Sequence, residues 1–550
     1  MRVILRKITN SPHRLRAWSR SLSHLLAATV RSARDARLIR RRLRNGEPPP
    51  CGHTGVAVVN AGRCTQTTDL ELHHAHLLAR MGLTVYVLID DGVLEHWDSS
   101  QVHSVKYYSP YRAKWQIRWP AVIRRRLMTW AYRTGDFHVL PYSAMIGRDT
   151  NALPVDSRDE SYAISSTKRF FVTGVLDLEG EHAEYYAKTV RNCAVSRAVG
   201  EYVRDVLRPN LYLSSHCIYS VWGPAYNVIK EAGIPILEFH VLGNVKESFQ
   251  LTDQYIQRLS ESTDWQEFNR RTVEDVEVAA LGKAVLDKRV NHEMYDVKEY
   301  YPEGVESADV RPPEQSDGGK VFAMFPNVIW DGDLPERNIM FNNVIEWCTF
   351  TVDALRDTRH RLCIRFHPAE DTRHRGSLKL EEILRQRIPD LDRIPNLTII
   401  GSGVKLDTYS FARQHVDVGL IYDGTLCLEL THLGIPVIAC TNGLFTLDEV
   451  AYKPATCEEY RQWLRSPEIV TDRFAEESET RMACARRYAH WFFDASLFTF
   501  EPIKKPYPVV MDYGAAPKDA PLCADQGEVC ERLIRALGDQ GHPATTAVNG

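Results

Sequence analysis

Two polar segments in the second half of the chain combine residue types that can hold a phosphate. The first, residues 365–368, reads Arg-Phe-His-Pro and follows the apolar run 362–364, which is typical of a buried strand. The second, Asp423-Gly424-Thr425, follows another apolar run and precedes a helix-like stretch that ends at Gly434. Because open parallel sheets bind ligands at the carboxyl ends of their strands, we expect both segments at one ligand-binding edge.

The chemistry of these segments suits a nucleotide phosphate. A helix that opens on Gly424-Thr425 points backbone N–H groups and the positive end of its dipole into the crevice, which favours an anion. His367 adds a hydrogen-bond donor, and Glu429, one helical turn after Thr425, can accept hydrogen bonds from ribose hydroxyls. A site of this kind requires no metal, and the sequence predicts no cofactor apart from the nucleotide co-substrate.

Each of these residues also has a simpler interpretation. A His-Pro pair after a strand is commonly a turn in which the histidine, here His367, caps a backbone group. A Gly-Thr pair before a helix is commonly an N-cap, and Glu429 taken alone is typical of a solvated helix residue. The joint spacing, with both segments ending strands of one predicted sheet, favours the phosphate site.

Several stretches of this half resemble the bacterial capsule polysaccharide biosynthesis proteins, whose relatives include β-Kdo transferases and polysialyltransferases that share a His-Pro motif. The stretches are 325–331, 341–347, His367-Pro368 and 425–436, within residues 200–475. The resemblance implies a GT-B glycosyltransferase, in which His367 and Thr425 bind the phosphate of a CMP-sugar. Asp423 departs from the Ser/Thr pair that relatives often carry, and an acid beside a phosphate is unfavourable unless it points elsewhere.

Other strand ends in this half complete the candidate donor site. The Gly-Ser-Gly loop 401–403 follows the strand 397–400 and can read a nucleotide base, while Trp330 and Asp331 follow the strand that ends near Asn327. The residues assigned to the donor nucleotide and phosphate are Arg365, His367, Pro368, Ser402, Gly424, Thr425 and Glu429. Those assigned to the donor sugar are Asn327, Trp330 and Asp331.

The first half begins with a strand, a polar loop over 61–68, a helix and a second strand. In GT-B folds this loop faces the cleft between the domains, so Arg63, Thr67 and Thr68 are assigned to the acceptor. The following helix carries His73, His74 and His76. Only the first and third share a face and no carboxylate accompanies them, so we expect a solvated or cleft-lining helix face and no metal site.

A catalytic base is sought at two further strand ends of the first half. His216 ends the strand 211–216, and Glu238 and His240 end the next strand. Glycosyl transfer needs a group that accepts the proton of the attacking hydroxyl, and we assign His216 and Glu238 to this role. The alternative is a histidine that is hydrogen-bonded and holds the loop around Trp222.

Length and composition fit a protein with two α/β domains. The chain has 550 residues, 44% of them hydrophobic, and a net charge of -3. Its 12 cysteines include no Cys-x-x-Cys pair, which indicates reduced thiols and a cytoplasmic location. No apolar run is long enough to span a membrane, and nucleic-acid binding is disfavoured because the folded part shows no matching basic excess.

Two segments are rich in arginine. In residues 1–50, apolar residues recur at helical spacing among arginines, namely Trp18, Leu22, Leu25, Leu26 and Val30, which predicts a helix on the anionic inner face of the cytoplasmic membrane. The alternatives are a disordered basic tail and a transit peptide. A second segment, 111–130, mixes arginine and tryptophan and suits an anionic glycan or lipid phosphate, or else an amphipathic surface helix.

The predicted architecture is α/β, with two Rossmann-like domains that face a cleft in a GT-B fold and a basic N-terminal extension. The predicted parts are a basic extension (1–50), an N-terminal acceptor domain (51–299), a linker (300–319), a C-terminal nucleotide-sugar domain (320–480), a crossover helix and following segment (481–513) and a polar tail (514–550).

The resemblance implies that a sugar moves from a nucleotide-sugar, CMP-linked in the relatives, to a capsular or surface polysaccharide or its lipid-linked precursor. Two alternatives stay open. A CDP-glycerol-type glycerophosphotransferase has a similar His-Pro site and transfers a phosphodiester unit. A non-catalytic glycan-binding partner in polysaccharide assembly would keep the fold without the reaction.

Overall fold

The computed structural model describes residues 12–43, 53–62, 68–95, 119–241, 248–254, 256–294, 297, 307–312, 318–330, 338–372, 378–506, 509–514 and 521–537. The strands within these ranges are β1 (Val56–Gly62), β2 (Thr84–Ile89), β3 (Phe137–Pro141), β4 (Leu211–Ser214), β5 (Ile236–His240), β6 (Ser248–Thr252), β7 (Val321–Phe325), β8 (Arg361–Arg365), β9 (Leu397–Ile400), β10 (Val418–Ile421), β11 (Val437–Ala439), β12 (Leu497–Thr499), β13 (Ile503–Pro506) and β14 (Val509–Met511).

The α-helices are α1 (Pro12–Leu43), α2 (Thr68–Arg80), α3 (Trp119–Tyr132), α4 (Tyr142–Ile146), α5 (Glu160–Phe171), α6 (Ala183–Tyr202), α7 (Gly223–Glu231), α8 (Thr263–Thr272), α9 (Val276–Val290), α10 (Val344–Leu355), α11 (Ala369–Thr372), α12 (Leu380–Arg387), α13 (Thr408–His415), α14 (Leu426–His432), α15 (Cys457–Arg465), α16 (Glu468–His490) and α17 (Gln526–Leu537). Short 3₁₀ segments lie at Ser157–Asp159, Ile256–Glu261 and Leu391–Arg393, and π-helical segments at Val203–Leu207 and Trp491–Ala495.

The first sheet has the strand order β12-β6-β5-β4-β1-β2-β3. Strands β1 to β5 pair in parallel, whereas β6 and β12 join antiparallel. In sequence terms the parallel part runs 3-2-1-4-5, the order of a Rossmann-like unit. The central strands β1 and β4 are almost continuously buried because helices cover both faces of the sheet, which explains their largely apolar sequences.

The second sheet repeats this plan. Its order is β11-β10-β7-β8-β9, all parallel, so it is again 3-2-1-4-5 counted from β7. The central strand β7 is buried along its whole length. After α16 the chain returns to the first sheet, where β12 pairs with β6. Two Rossmann-like units joined by a returning C-terminal segment form the GT-B fold, and the predicted fold class is confirmed.

Both ends of the described chain contribute to the core of the first sheet. Ala36 and Ile39 of α1 are fully buried there, together with Leu522, Val529 and Leu533 from the C-terminal end. The sequence predicts a basic extension outside the core and a polar tail. In the structure one face of each terminal helix is apolar and covers the sheet, so burial of these side chains overrides the polar composition.

The segment before the predicted linker also packs differently from its assignment. Helices α8 and α9 fall within the predicted first domain, but Trp265 and Leu286 share a core with the second sheet. The ring of Trp265 lies 4.8 Å from that of Tyr488 and 5.6 Å from that of Trp491. At Gly282 a Cβ would lie 1.8 Å from the carbonyl oxygen of Arg486, so glycine permits the close approach of α9 to α16.

Within the described residues, no helix is long and apolar enough to cross a membrane.

Candidate functional site

Four neighbouring strands of the second sheet bring the predicted donor residues to one edge. In the order β9, β8, β7, β10, the carboxyl ends carry Ser402, His367, Asn327 and the 423–425 loop. Because the strands are parallel and in register, their ends converge on the crevice where open α/β sheets bind ligands. The sheet therefore places residues from four separate stretches of sequence along one edge.

His367 lies in a tight turn directly after β8. Its Nδ1 accepts a hydrogen bond from the Ala369 backbone N–H at 3.1 Å, and its carbonyl accepts one from the Glu370 N–H at 2.9 Å. An accepting Nδ1 fixes the neutral tautomer with the proton on Nε2, which makes Nε2 a donor. The capping role and the donor role of His367 are thus compatible, because they use different ring nitrogens.

A buried carboxyl group, that of Glu370, follows His367 by three residues. Glu370 begins the first turn of α11 and accepts a hydrogen bond from the Leu380 N–H at 3.4 Å. Burial raises the pKa of Glu370 to about 7, although the bond from Leu380 and the charge of Lys379 favour ionisation. The charge next to the His367 turn therefore changes near neutral pH.

Arg365 supports the neighbouring loop. Its buried guanidinium donates to the carbonyl oxygens of Gly401 at 2.7 Å and Val404 at 2.9 Å. Ser402, between these two residues, is itself buried. The arginine that the sequence assigns to the donor phosphate thus fixes the shape of the loop that the sequence assigns to the base.

The 423–425 loop is shaped by a glycine and an asparagine. Gly424 has φ 131°, a conformation that L side chains rarely adopt. The Asp423 N–H donates to Asn327 Oδ1 at 3.1 Å, and the Gly424 N–H donates to Asp423 Oδ1 at 2.7 Å. A Cβ at Gly443 would lie 2.3 Å from the Asp423 carboxyl carbon, so that carboxylate packs against the Gly443 backbone. Asn327 links β7 to the loop after β10.

Arg289 brings a positive charge to Thr425. Its Nη2 donates to Thr425 Oγ1 at 3.1 Å and its Nε donates to Glu429 Oε1 at 2.6 Å. The Tyr409 hydroxyl donates to Glu429 Oε2 at 2.8 Å. Both oxygens of the buried Glu429 are therefore engaged inside the protein, which does not support the predicted contact with a ribose. Its carboxylate instead orients the arginine that contacts Thr425.

Sequence reasoning missed Arg289 because it lies 136 residues before Thr425 and belongs to a helix assigned to the other domain. No local motif distinguishes it from the neighbouring charged residues of α9. The one general signal is that a glutamate buried in a fold, as Glu429 proves to be, needs a cationic or hydrogen-bonding partner.

A second buried pair lies at the end of the first sheet. Glu238 and His240, on β5, are both buried, and Glu238 Oε2 lies 3.1 Å from His240 Nε2. On the adjacent strand end, the Ser215 hydroxyl donates to Glu71 Oε1 at 2.8 Å. The carboxyl edge of the first sheet therefore holds two buried glutamates, Glu71 and Glu238, and a histidine.

His216 is half-buried and follows β4, the strand next to β5. Its ring lies 5.1 Å from that of Trp222 and 5.9 Å from that of Tyr219, and its carbonyl accepts a hydrogen bond from the Ser214 hydroxyl at 2.7 Å. The contact with Trp222 matches the alternative interpretation, in which His216 holds that loop.

The two halves of the chain meet beside β7. A Cβ at Gly174, just after α5, would lie 2.2 Å from the side chain of Ile329, and Val172 joins the hydrophobic cluster of the second sheet. The loop after α5 thus reaches the end of the strand that carries Asn327. The first half of the chain therefore borders the candidate donor edge.

Other predicted site residues are placed differently or not described. Trp330 is buried in the apolar cluster that includes Phe322 and Trp347, because its indole fills the second core, and its assignment to the donor sugar is not supported. Thr68 is buried at the start of α2. Arg63, Thr67 and Asp331 lie outside the described residues, as do residues 111–118 of the basic segment 111–130.

The histidines of α2 are neither solvated nor cleft-lining. His73 packs against Phe500, His74 against Phe239 and Phe249, and His76 Nδ1 lies 2.9 Å from the Tyr132 carbonyl oxygen. Burial lowers the pKa of His74 to about 3 and that of His76 to about 4, and it lowers the pKa of His73 as well. The described residues contain no group of three side chains able to hold a metal ion.

No protein-family model and no curated protein matches this sequence. Among solved structures, the chain is similar to KpsC, a beta Kdo 2,4 transferase of Thermosulfurimonas dismutans, with 11% identity and a TM-score of 0.30 over 50% of this chain and 78% of the other. The glycotransferase of kitacinnamycin gives 13% identity and a TM-score of 0.21 over 81% and 99% of the two chains.

A UDP-GlcNAc 2-epimerase of Neisseria meningitidis, bound to UDP-GlcNAc, gives 9% identity and a TM-score of 0.23 over 80% and 98% of the two chains. The fold assignment made above rests on the strand order and register of this chain itself.

Proposed function

We propose that this protein is a glycosyltransferase that takes its sugar from a nucleotide-sugar donor. The observation that carries the proposal is the convergence of His367, Asn327, Ser402 and Thr425 on one carboxyl edge, with the Arg289 guanidinium bonded to Thr425. The hydrogen-bond donor of His367, the hydroxyl of Thr425 and the guanidinium of Arg289 at such an edge suit the phosphate of a nucleotide.

The reaction breaks the bond between the anomeric carbon and a phosphate oxygen, and forms a bond from that carbon to an acceptor oxygen. The leaving phosphate gains negative charge, which the Nε2–H of His367, the Thr425 hydroxyl and the Arg289 charge would stabilise without a metal. The proton of the acceptor hydroxyl passes to a base. We assign this role to the edge of the first sheet, where His216 follows β4 and the Glu238–His240 pair lies on the neighbouring strand β5.

A cytidine-linked donor and a surface or capsular glycan acceptor complete the proposal. Both are implied by the His-Pro resemblance, whereas the strand order supports only the choice of the second sheet as the donor side. Closure of the first half over the second, across the contact between Gly174 and Ile329, would exclude water from the reacting carbon.

The test is nucleotide binding by the full chain, measured as thermal shift and by calorimetry with CMP, CDP, UDP and GDP. A ligand that binds only the native state raises the melting temperature. We expect a shift with a cytidine nucleotide that is lost in His367→Ala. The matched control is His138→Ala, an exposed histidine on the first sheet. Selectivity for UDP or GDP would discard the cytidine assignment, and no binding to any nucleotide would contradict the proposal.

One observation favours a second candidate reaction. CDP-glycerol-type glycerophosphotransferases act at a phosphate instead of a sugar carbon, and a second histidine at the reacting phosphate would favour that class. His240, whose Nε2 lies 3.1 Å from Glu238 Oε2 on β5, is a candidate for that second histidine. Product analysis with a CMP-sugar and with CDP-glycerol separates the two reactions. Both donors release CMP, but sugar transfer adds a glycosidic bond and no phosphorus to the acceptor, whereas glycerophosphate transfer adds phosphorus as a phosphodiester.

A further inference from the structure

Helix α1 presents one face to the protein and another to solvent. It runs for 32 residues, and Ser32, Ala36 and Ile39 are buried where it packs on α3 and the first core. On the opposite side, exposed residues follow one another at spacings of three or four. We call this stripe the α1 face; its members are Leu22, Leu26, Val30, Arg34, Arg37 and Arg41. It extends for roughly 28 Å along the helix.

The α1 face carries more positive charge than the acidic residue of α1 can neutralise. Asp35 is the one acidic residue of that helix, and its buried carboxylate lies 3.0 Å from Arg124 of α3 and 3.6 Å from Arg34 of the stripe. Arg124 also pairs with Asp69. Asp512 lies 3.8 Å from Arg34 as well. The internal acids thus hold α1 in place, while the arginines of the stripe project into solvent.

Large apolar side chains share this surface. Leu26 is 58% exposed and Val30 is 69% exposed. On the adjacent α3, Trp130 is 49% exposed, and the Arg40 guanidinium lies 4.2 Å from the centre of its ring. Exposed aliphatic residues, an aromatic ring and arginines together form the composition of a helix that lies at a bilayer interface.

We propose that the α1 face, extended by Trp130, docks on a bilayer that contains anionic lipids. The arginines pair with lipid phosphates, while Leu22, Leu26 and Val30 enter the boundary between headgroups and acyl chains. A second copy of the chain is disfavoured because two like-charged faces repel. Nucleic acid would leave the aliphatic residues in water. This inference does not depend on the proposed transfer reaction.

The test is flotation of the full-length protein with vesicles of phosphatidylcholine alone or with phosphatidylglycerol added. We expect binding only to the anionic vesicles, with affinity falling as salt rises. In the triple variant Arg34→Gln, Arg37→Gln, Arg41→Gln, the affinity should fall about a hundredfold, since each arginine near an anionic surface contributes a factor of about five. The matched control, Arg148→Gln, Arg271→Gln, Arg311→Gln, removes three exposed arginines elsewhere and should bind like the wild type.

The apolar part is tested separately with Leu26→Gln and Val30→Gln, which should lower the affinity about tenfold. The control pair is Leu281→Gln and Val276→Gln, which are 46% and 82% exposed on α9. Circular dichroism and melting temperatures verify that all variants are folded.

Three outcomes would overturn the proposal. One is absence of binding to either kind of vesicle. Another is equal binding by the arginine variant and its control. The third concerns other ligands: the wild type binds DNA or forms a dimer, as seen by light scattering, but does not bind vesicles, and the arginine variant loses that complex. This result would assign the face to nucleic acid or to a second copy.

Discussion

At the residue scale, the candidate donor site depends on a long-range ion pair that no motif contains. Arg289 is held by Glu429 at 2.6 Å and reaches Thr425 at 3.1 Å. Both charged groups are buried, and each compensates the other, so neither is an unpaired charge in the core. The same bonds orient the side chains at the start of α14. The ion pair therefore contributes both to the stability of the second unit and to the geometry of its candidate binding edge.

Arg289→Met should lower the free energy of unfolding by about 3–5 kcal/mol, because it leaves the Glu429 carboxylate buried without its cation. Urea denaturation measures this loss. The control is Lys283→Met on the same helix, whose pairing with Asp287 is exposed and contributes about 1 kcal/mol or less. Equal losses in the two variants would contradict the argument. The double variant Arg289→Met, Glu429→Leu should recover much of the stability.

Gly424→Ala should weaken nucleotide binding and destabilise the protein by about 1–3 kcal/mol. A Cβ at this position meets no atom within 4 Å, so the cost arises from the backbone conformation at φ 131°. Thermal unfolding with and without nucleotide measures both effects. Gly527→Ala is the control, because Gly527 lies inside α17 with open space around it, and alanine there should be neutral or stabilising. A melting temperature unchanged by Gly424→Ala would refute the strain at this turn.

At the element scale, helix α2 is buried on the sides that carry its histidines. His73 and His74 pack among aromatic rings of the first core, with Tyr132, Phe239, Phe249 and Phe500 around them. Neutral imidazoles act here as core side chains, and protonation would place a charge in an apolar environment.

Stability should therefore fall in acid. The pKa values of the three histidines of α2 in the folded state lie below the unfolded value of about 6.5, so below that pH the unfolded chain binds more protons. The stabilisation is fully present above about pH 6.5 and is lost as the pH falls toward about 4, by up to roughly 4 kcal/mol per pH unit for three groups. Urea unfolding across this range measures the slope.

The double variant His73→Phe, His74→Phe should reduce the contribution of the α2 histidines to this slope to about a third, because His76 is the one of the three that remains. Phenylalanine has a similar shape and suits the aromatic surroundings. His138→Phe, on the exposed side of the first sheet, is the control and should leave the slope unchanged. An unaltered slope in the double variant would show that other groups govern the acid response.

The sequence predicted the strand ends of the site well because a strand that is buried on both faces is apolar without interruption and stops where the first polar residue appears. His367 and Thr425 were located in this way. Burial of helices is harder to predict, since α2 carries charged and imidazole side chains at every turn. Arg289, Trp330 and the α2 histidines acquire their surroundings only through tertiary packing, which no local pattern encodes.

At the scale of the whole molecule, the first unit is assembled from both ends of the chain. Strands β1 to β6 are joined by β12, and the Gln250 side chain on β6 donates to the Ser496 hydroxyl at 2.6 Å. Tyr513 is buried beside Tyr132, with its hydroxyl donating to Asp69 at 2.8 Å. The C-terminal region therefore belongs to the first fold unit, although its composition is polar.

Deletion of residues 521–550 should prevent stable folding. It removes Leu522, Val529 and Leu533 from the first core, and each buried side chain of this kind contributes about 1.5–3 kcal/mol. The sum is comparable with the whole stability of a typical domain. Soluble yield and circular dichroism report the result. Deletion of residues 538–550 alone is the control, and equal behaviour of the two truncations would show that α17 is dispensable.

The return of β12 to the first sheet has a consequence for the order of events during synthesis. Translation delivers β5, which ends at residue 240, long before β12, which begins at residue 497. At about 5–20 residues per second, this gap corresponds to roughly 15–50 s. Throughout that interval the edge of β6 has no neighbour on its outer side, and the second unit, whose core extends from α8 to α16, emerges from the ribosome. The nascent chain thus completes its second unit first, and its first unit closes only after β12 has emerged.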